Sequence, residues 1–131
     1  MDRPAPVKAW HALAESRDPA GLADLIADDC VFRSPAVHTP QQGKALTTAY
    51  LGAAIVVLGP TLSYVEEWYA ASSAVLEFSA EVEGRTVHGV DMLRWGADGR
   101  LTSFTVIVRP MKGLQALMTA MAAELTGVAS G

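Results

Sequence analysis

A change of hydrophobic period in mid-chain constrains this sequence more than any other feature. Before Gly59-Pro60 the apolar residues recur at helical spacing, and after it they alternate. Val7, Trp10, Leu13 and Ala14 predict an amphipathic helix over residues 7–17. Asp18-Pro19 reads as an N-cap with proline at the first helical position. The helix it opens buries Leu22, Leu25 and Ile26 and ends at Asp28-Asp29. Cys30 to Arg33 is a short extended piece stopped by Ser34-Pro35. From Lys44 to Leu58 a third helix places Leu46, Tyr50, Ala53, Ala54 and Val57 on one side.

Beyond Gly59-Pro60 the period is two. Leu62 to Tyr69 is a first strand, and Leu76, Phe78, Ala80 and Val82 alternate with Glu77, Ser79, Glu81 and Glu83 in a second. Turns at Glu83-Gly84-Arg85 and Gly96-Ala97-Asp98-Gly99 lead into strands over residues 86–95 and 101–109, both apolar on both faces. A strand of that kind needs a cover on each side. Helices supply one cover, and a second subunit is the economical source of the other. Pro110 ends the sheet, and Leu114, Leu117, Met118, Met121 and Leu125 mark a last helix. Three helices, a four-stranded antiparallel meander and one helix give an α+β fold in a single domain, residues 1–131.

Charge and composition remove several function classes. Ten basic against 14 acidic residues, net −4, leave no footprint for nucleic acid or an anionic membrane. Cys30 is the sole cysteine, so neither an internal disulfide nor a cysteine metal cluster is possible. The longest apolar run, Leu51 to Leu58, is far short of a membrane span, and the first residues carry no apolar signal region. The expectation is a reduced, cytoplasmic protein. There is no glycine-rich phosphate loop, no Gly-x-Ser-x-Gly elbow and no His-Glu-x-x-His, and His11, His38 and His88 lack metal-ligand spacing. No metal and no cofactor is called for. Acid–base chemistry or ligand binding remains.

Asp91 is the most informative ionisable residue. It interrupts the apolar run Val87-His88-Gly89-Val90-Asp91-Met92-Leu93, and alternation sets it beside Val87, Gly89, Leu93 and Trp95. A carboxyl group there loses hydration, so its pKa should rise, and a neutral acid can donate a hydrogen bond to a ligand oxygen. The alternative is a structural acid bonded to Trp10, Tyr50 or a backbone amide. His88 points to the opposite face. His38, in the loop between Pro35 and Pro40, is a candidate at a pocket mouth. One of Glu66 and Glu67 faces inward, and alternation alone leaves open which.

Ala27-Asp28-Asp29-Cys30-Val31-Phe32-Arg33-Ser34-Pro35, then Gly43-Lys44, then Val90 to Trp95 with Asp98-Gly99-Arg100-Leu101, resemble the nuclear transport factor 2-like superfamily. Within it the chain resembles the SnoaL-like and ketosteroid-isomerase-like branch, over about residues 7–109. The resemblance implies a cone-shaped, strongly curved antiparallel sheet over three N-terminal helices, with a deep apolar pocket, usually in a homodimer. It also implies a site. The family's catalytic aspartate falls on Ser34, which cannot serve as that base. Its oxyanion-hole tyrosine falls on Trp10, and its oxyanion-hole aspartic acid on Asp91, which alone is kept. The final strand, Leu101 to Val108, carries no acid of the kind polyketide cyclases of this branch use. Nor does Asp91 have the partners of an epoxide-hydrolase Asp–Arg–Asp set.

The resulting expectation is a pocket for a small apolar ketone or polyketide-like molecule. Asp91 is its acid, and His38, Tyr50, Tyr64 or an inward Glu66 is the proton partner. Trp10, Phe32, Ser34, Phe78, Trp95 and Phe104 shape the rest, without standard ketosteroid isomerase activity. The other expectation is the same cavity without turnover, in a binding or scaffold protein. The predicted partner is a second copy of the chain, packed on the sheet face of Val90, Met92 and Ile107.

Overall fold

The computed structural model of the chain describes residues 2–130, with side chains as far as residue 126. The elements are α1 (Ala5–Ser16), α2 (Leu22–Leu25), β1 (Ile26–Arg33), β2 (Gln41–Gln42), α3 (Lys44–Leu58), β3 (Ser63–Tyr69), β4 (Ser73–Val82), β5 (Arg85–Trp95), β6 (Leu101–Arg109) and α4 (Met111–Ser130). They form an α+β fold with a curved, unclosed six-stranded sheet in the order β2-β1-β6-β5-β4-β3. The meander β3 to β6 is antiparallel, as its turns predict. β1 lies parallel to the far edge of β6, with β2 paired antiparallel beyond it.

Two local expectations need correction. The second helix neither opens at Asp18-Pro19 nor continues to Asp28-Asp29: it runs only from Leu22 to Leu25, with Gly21 at its N-cap, and Ile26 to Arg33 is strand. Pairing decides this: Ile26 sits opposite Leu101, and Val31 to Arg33 sit opposite Ser103 to Thr105. A register shift between them leaves Asp28 and Asp29 exposed. On α3, Leu46 faces outward, while Thr47, Leu51, Ala53, Ile55 and Leu58 are buried. Nearly every residue from Leu51 to Leu58 is apolar, so the sequence pattern fixes no single inward face there.

β5 behaves as its alternation predicts. Val87, Gly89, Asp91 and Leu93 point inward, and His88, Val90 and Met92 lie on the outer face. Gly89 has a packing reason. A Cβ there would lie 2.1 Å from the Ile107 carbonyl oxygen and 3.0 Å from the Phe78 ring. β3 departs from alternation: its register against β4 shifts between Tyr64 and Glu66. The extra residue, Val65, turns both Tyr64 and Glu67 inward and leaves Glu66 exposed.

Burial divides the interior into two clusters. One joins α1, β1 and the β5–β6 end around Val7, Trp10, Phe32, Leu93 and Phe104. The other joins α3, α4 and β4 around Leu58, Phe78, Val87, Leu117 and Met121. Tyr50, Tyr64 and Val106 pack against both. The seam between the clusters is not filled, and that gap positions the site.

Candidate functional site

The gap is a cavity of about 200 Å³ walled almost entirely by hydrocarbon. α1 contributes Trp10, β1 Phe32, α3 Tyr50, β3 Tyr64, β4 Phe78 and β6 Phe104. Aromatic edges and faces fix the wall. Trp10 meets Phe104 edge-on at 4.8 Å, and Phe32 stacks on Tyr50 at 5.5 Å. Ser34, Pro35 and the exposed Val37 also line it, placing the loop after β1 at its rim. α4 closes another side with Leu117, Met118, Met121 and Leu125. The sequence marked those four as a helix stripe without assigning them to a pocket. Methionines suit such a wall because their side chains repack readily.

Asp91 is the acid in this cavity. It is 6% exposed, and the Tyr64 hydroxyl donates to its Oδ2 at 2.8 Å. Trp10 Nε1–H in turn donates to the Tyr64 oxygen at 2.7 Å. Asp91's structural partner is therefore Tyr64, and neither Trp10 nor Tyr50 bonds to it. Burial pushes the Asp91 carboxyl up to about 7, and the Tyr64 hydrogen bond offsets part of that rise. Tyr64 lies well above the usual phenol range, first through burial and then through the negative charge of Asp91. The phenol is a donor at neutral pH and not a base. Among the described residues Asp91 Oδ1 makes no hydrogen bond.

Two expected site residues lie elsewhere. His38 is exposed on its loop and does not line the cavity. The loop presents Pro35 and Val37 to the mouth instead. Trp95 packs on the first cluster from the sheet end and borders a surface depression with Pro6, Ala71 and Ser72. Four residues beyond Asp91 on an extended strand is ~13 Å, past the end of the cavity. An inward Glu66 is also ruled out, because the bulge at Val65 exposes it.

Glu67 instead turns inward, on the far side of Tyr64. It bonds to His11 Nε2, accepts from the Tyr69 hydroxyl and pairs with Arg3 Nε at 3.3 Å. His11 is buried and meets the Tyr64 ring edge-to-face at 4.6 Å. This cluster borders a second, polar cleft of about 410 Å³ that also touches Arg17 and Glu15. Tyr64 and Leu62 line both spaces. The sequence offered no signal for the pairing of His11 with Glu67, since it depends on the bulge. Among the described residues no group of three or more His, Cys, Asp or Glu could hold a metal ion, and no helix is long and apolar enough to cross a membrane.

A sheet curved over helices, with one buried acid in an apolar cavity, defines a class of small-ligand pocket proteins. The chain belongs to the family of SnoaL-like domains, whose pattern matches residues 7–104. It is similar to a steroid delta-isomerase from Pseudomonas aeruginosa, with 39% identity over 97% of this chain and 93% of that one, and a TM-score of 0.90. An uncharacterized protein with a cystatin-like fold from Silicibacter pomeroyi is 25% identical, over 92% of this chain and 84% of that one, with a TM-score of 0.84. At 17% identity a Catenulispora acidiphila protein with a ketosteroid isomerase-like fold, solved with trimethylamine, shares the fold over 88% of this chain and 93% of that one, at a TM-score of 0.66. No curated protein matches the sequence. Fold and neighbours together define a ligand-binding, isomerase-type family.

Proposed function

We propose that the protein takes a small apolar ketone or polyketide-like molecule into this cavity and acts on it as an isomerase, dehydratase or cyclase. Asp91 serves as the acid that engages the carbonyl oxygen. The observation that carries this reading is the free Oδ1 of a carboxyl raised to about 7 inside an apolar wall. Each of those reactions begins by polarising a carbonyl group. An acid whose pKa lies near the working pH is suited to that step. Tyr64 holds the second oxygen and keeps Oδ1 aimed at the ligand.

A second reading, capture of the ligand without turnover, is favoured by Ser34. It stands at the rim where the resemblance places a base, and a hydroxyl is far too weak for that work. Size also argues against a steroid-sized ligand. A cavity of about 200 Å³ falls below the roughly 300–1,000 Å³ of sites for drug-sized ligands. A Δ5-3-ketosteroid should therefore show no appreciable turnover in a spectrophotometric assay, and efficient turnover would overturn this. Binding of a small cyclic enone, 13C-labelled at its carbonyl, separates a working Asp91 from a bystander. The bound carbonyl should shift downfield, and Asp91→Leu should weaken binding by ~10-fold or more. Asp91→Asn, whose amide still donates, should keep most of the affinity. Equal binding by Asp91→Leu contradicts the reading.

The same reading includes a second copy of the chain on the outer sheet face. Val90 lies opposite Ile107 there, Met92 lies opposite Val75, and Trp68 and Ile107 are more than half exposed. An apolar patch across four strands is uncommon on a monomer. Sedimentation equilibrium at micromolar concentration should give twice the chain mass, and Met92→Lys should return the monomer. A wild-type monomer would remove the second copy from the account.

A further inference from the structure

We propose that the buried His11–Glu67 pair is a positioning pair for Tyr64, holding its ring as the partition between the apolar cavity and the polar cleft. This rests on the reading that Asp91 is the working acid, but the pair itself touches no part of the cavity. His11, Glu67, Arg3 and Tyr69 are all absent from its wall.

Tyr64 is held at two points by neighbours on one helix. Trp10 donates to its hydroxyl, and the next residue, His11, packs against its ring. Residues adjacent on a helix point about 100° apart, so the two grips come from different directions. Trp10 alone fixes the oxygen, which leaves the ring free to tilt. His11 blocks that tilt only if it is itself fixed, and Glu67 fixes it through Nε2. Glu67 is anchored in turn by Tyr69 and Arg3.

The backbone contributes as well. Strict alternation would put Glu67 on the face opposite Tyr64, and His11 would then have no acid to bond. The bulge at Val65 turns both inward three residues apart. Behind the ring lies the cleft, with Arg3, His11, Glu15 and Arg17 around it. In front lies Asp91 on β5. A tyrosine released from His11 has room to turn into the cleft, and water from that side would then reach Asp91.

Two readouts independent of turnover test this. One is hydrogen exchange at the Trp10 indole N–H, which is bonded to Tyr64. The other is the Asp91 carboxyl titration by 13C NMR. In His11→Ala the indole N–H should exchange at least tenfold faster. The Asp91 midpoint should fall below about 7, because burial is the main cause of its elevation and water relieves burial. Tyr64→Phe should move that midpoint the other way, since it removes the donor while the cavity stays sealed. Glu67→Gln can still bond His11 and should behave as wild type in both measurements, whereas Glu67→Leu should behave as His11→Ala. If His11→Ala does not fold, His11→Phe replaces it, keeping a ring but losing the bond to Glu67. Slow indole exchange and an unmoved midpoint in the disruptive variants overturn the proposal. So does Glu67→Gln shifting Asp91 as far as Glu67→Leu, which would mean charge and not position. An ordinary aspartate midpoint in the wild type would instead undo the reading of Asp91, while indole exchange still judged the pair.

Discussion

Asp91 is a buried carboxyl and Glu67 a partly buried one, both beside the same tyrosine, yet the chain surrounds them in opposite ways. Glu67 has three partners, two of them able to carry positive charge: His11, Arg3 and Tyr69. Among the described residues Asp91 has one, the neutral hydroxyl of Tyr64, and its other oxygen makes no hydrogen bond. A buried acid whose capacity is satisfied holds a scaffold together. One whose capacity is left open in an apolar cavity is a candidate for binding a ligand. On the proposed reading the difference separates support from site, and it predicts that the two acids respond oppositely to removal.

The largest effect should appear in pH-dependent stability. Asp91 titrates higher in the native state than unfolded, so between about pH 4 and 7 the native protein binds the extra proton. Asp91's contribution to stability therefore declines as pH rises across that window and is flat above it. Asp91→Asn removes this dependence. The variant's unfolding free energy relative to wild type should climb by as much as ~4 kcal/mol from pH 4 to pH 7.5. Urea unfolding across the range measures it, and a flat difference breaks the comparison on the Asp91 side.

Next in size is removal of each acid at pH 7.5. Glu67→Leu strands His11, Tyr69 and Arg3 and should cost ~3 kcal/mol. Asp91→Leu discards a poorly solvated acid with one neutral partner, and should be neutral or stabilising. Equal losses from the two variants would make Asp91 a structural residue like its neighbour.

Much of this arrangement was legible in the sequence, and the residues show why. Asp91 stood out because β5 alternates cleanly, and its inward neighbours Val87, Gly89 and Leu93 left no doubt about its face. The aromatic wall could be named because Phe32, Tyr50, Phe78 and Phe104 follow local periods and the resemblance supplied the pocket. Tyr64 was one of four candidate partners for Asp91 and could not be singled out, because β4 lies between their strands and only sheet order and curvature bring them together. Glu67 was ambiguous for a different reason. A single inserted residue, Val65, reverses the face of everything after it, and a bulge has no strong mark in residue type. β1 was read too short because Ile26 to Asp29 carry helical spacing, and pairing with a strand some 75 residues later overrides local preference.

On the proposed reading Asp91 is held near neutrality by an apolar cavity and kept open to a ligand. Site-resolved 13C NMR titration of its side-chain carboxyl in the ligand-free protein tests this most directly. The midpoint should lie near 7 and move when a small cyclic ketone is added. A midpoint at or below the ordinary aspartate value of about 4, unchanged by ketone, would contradict it.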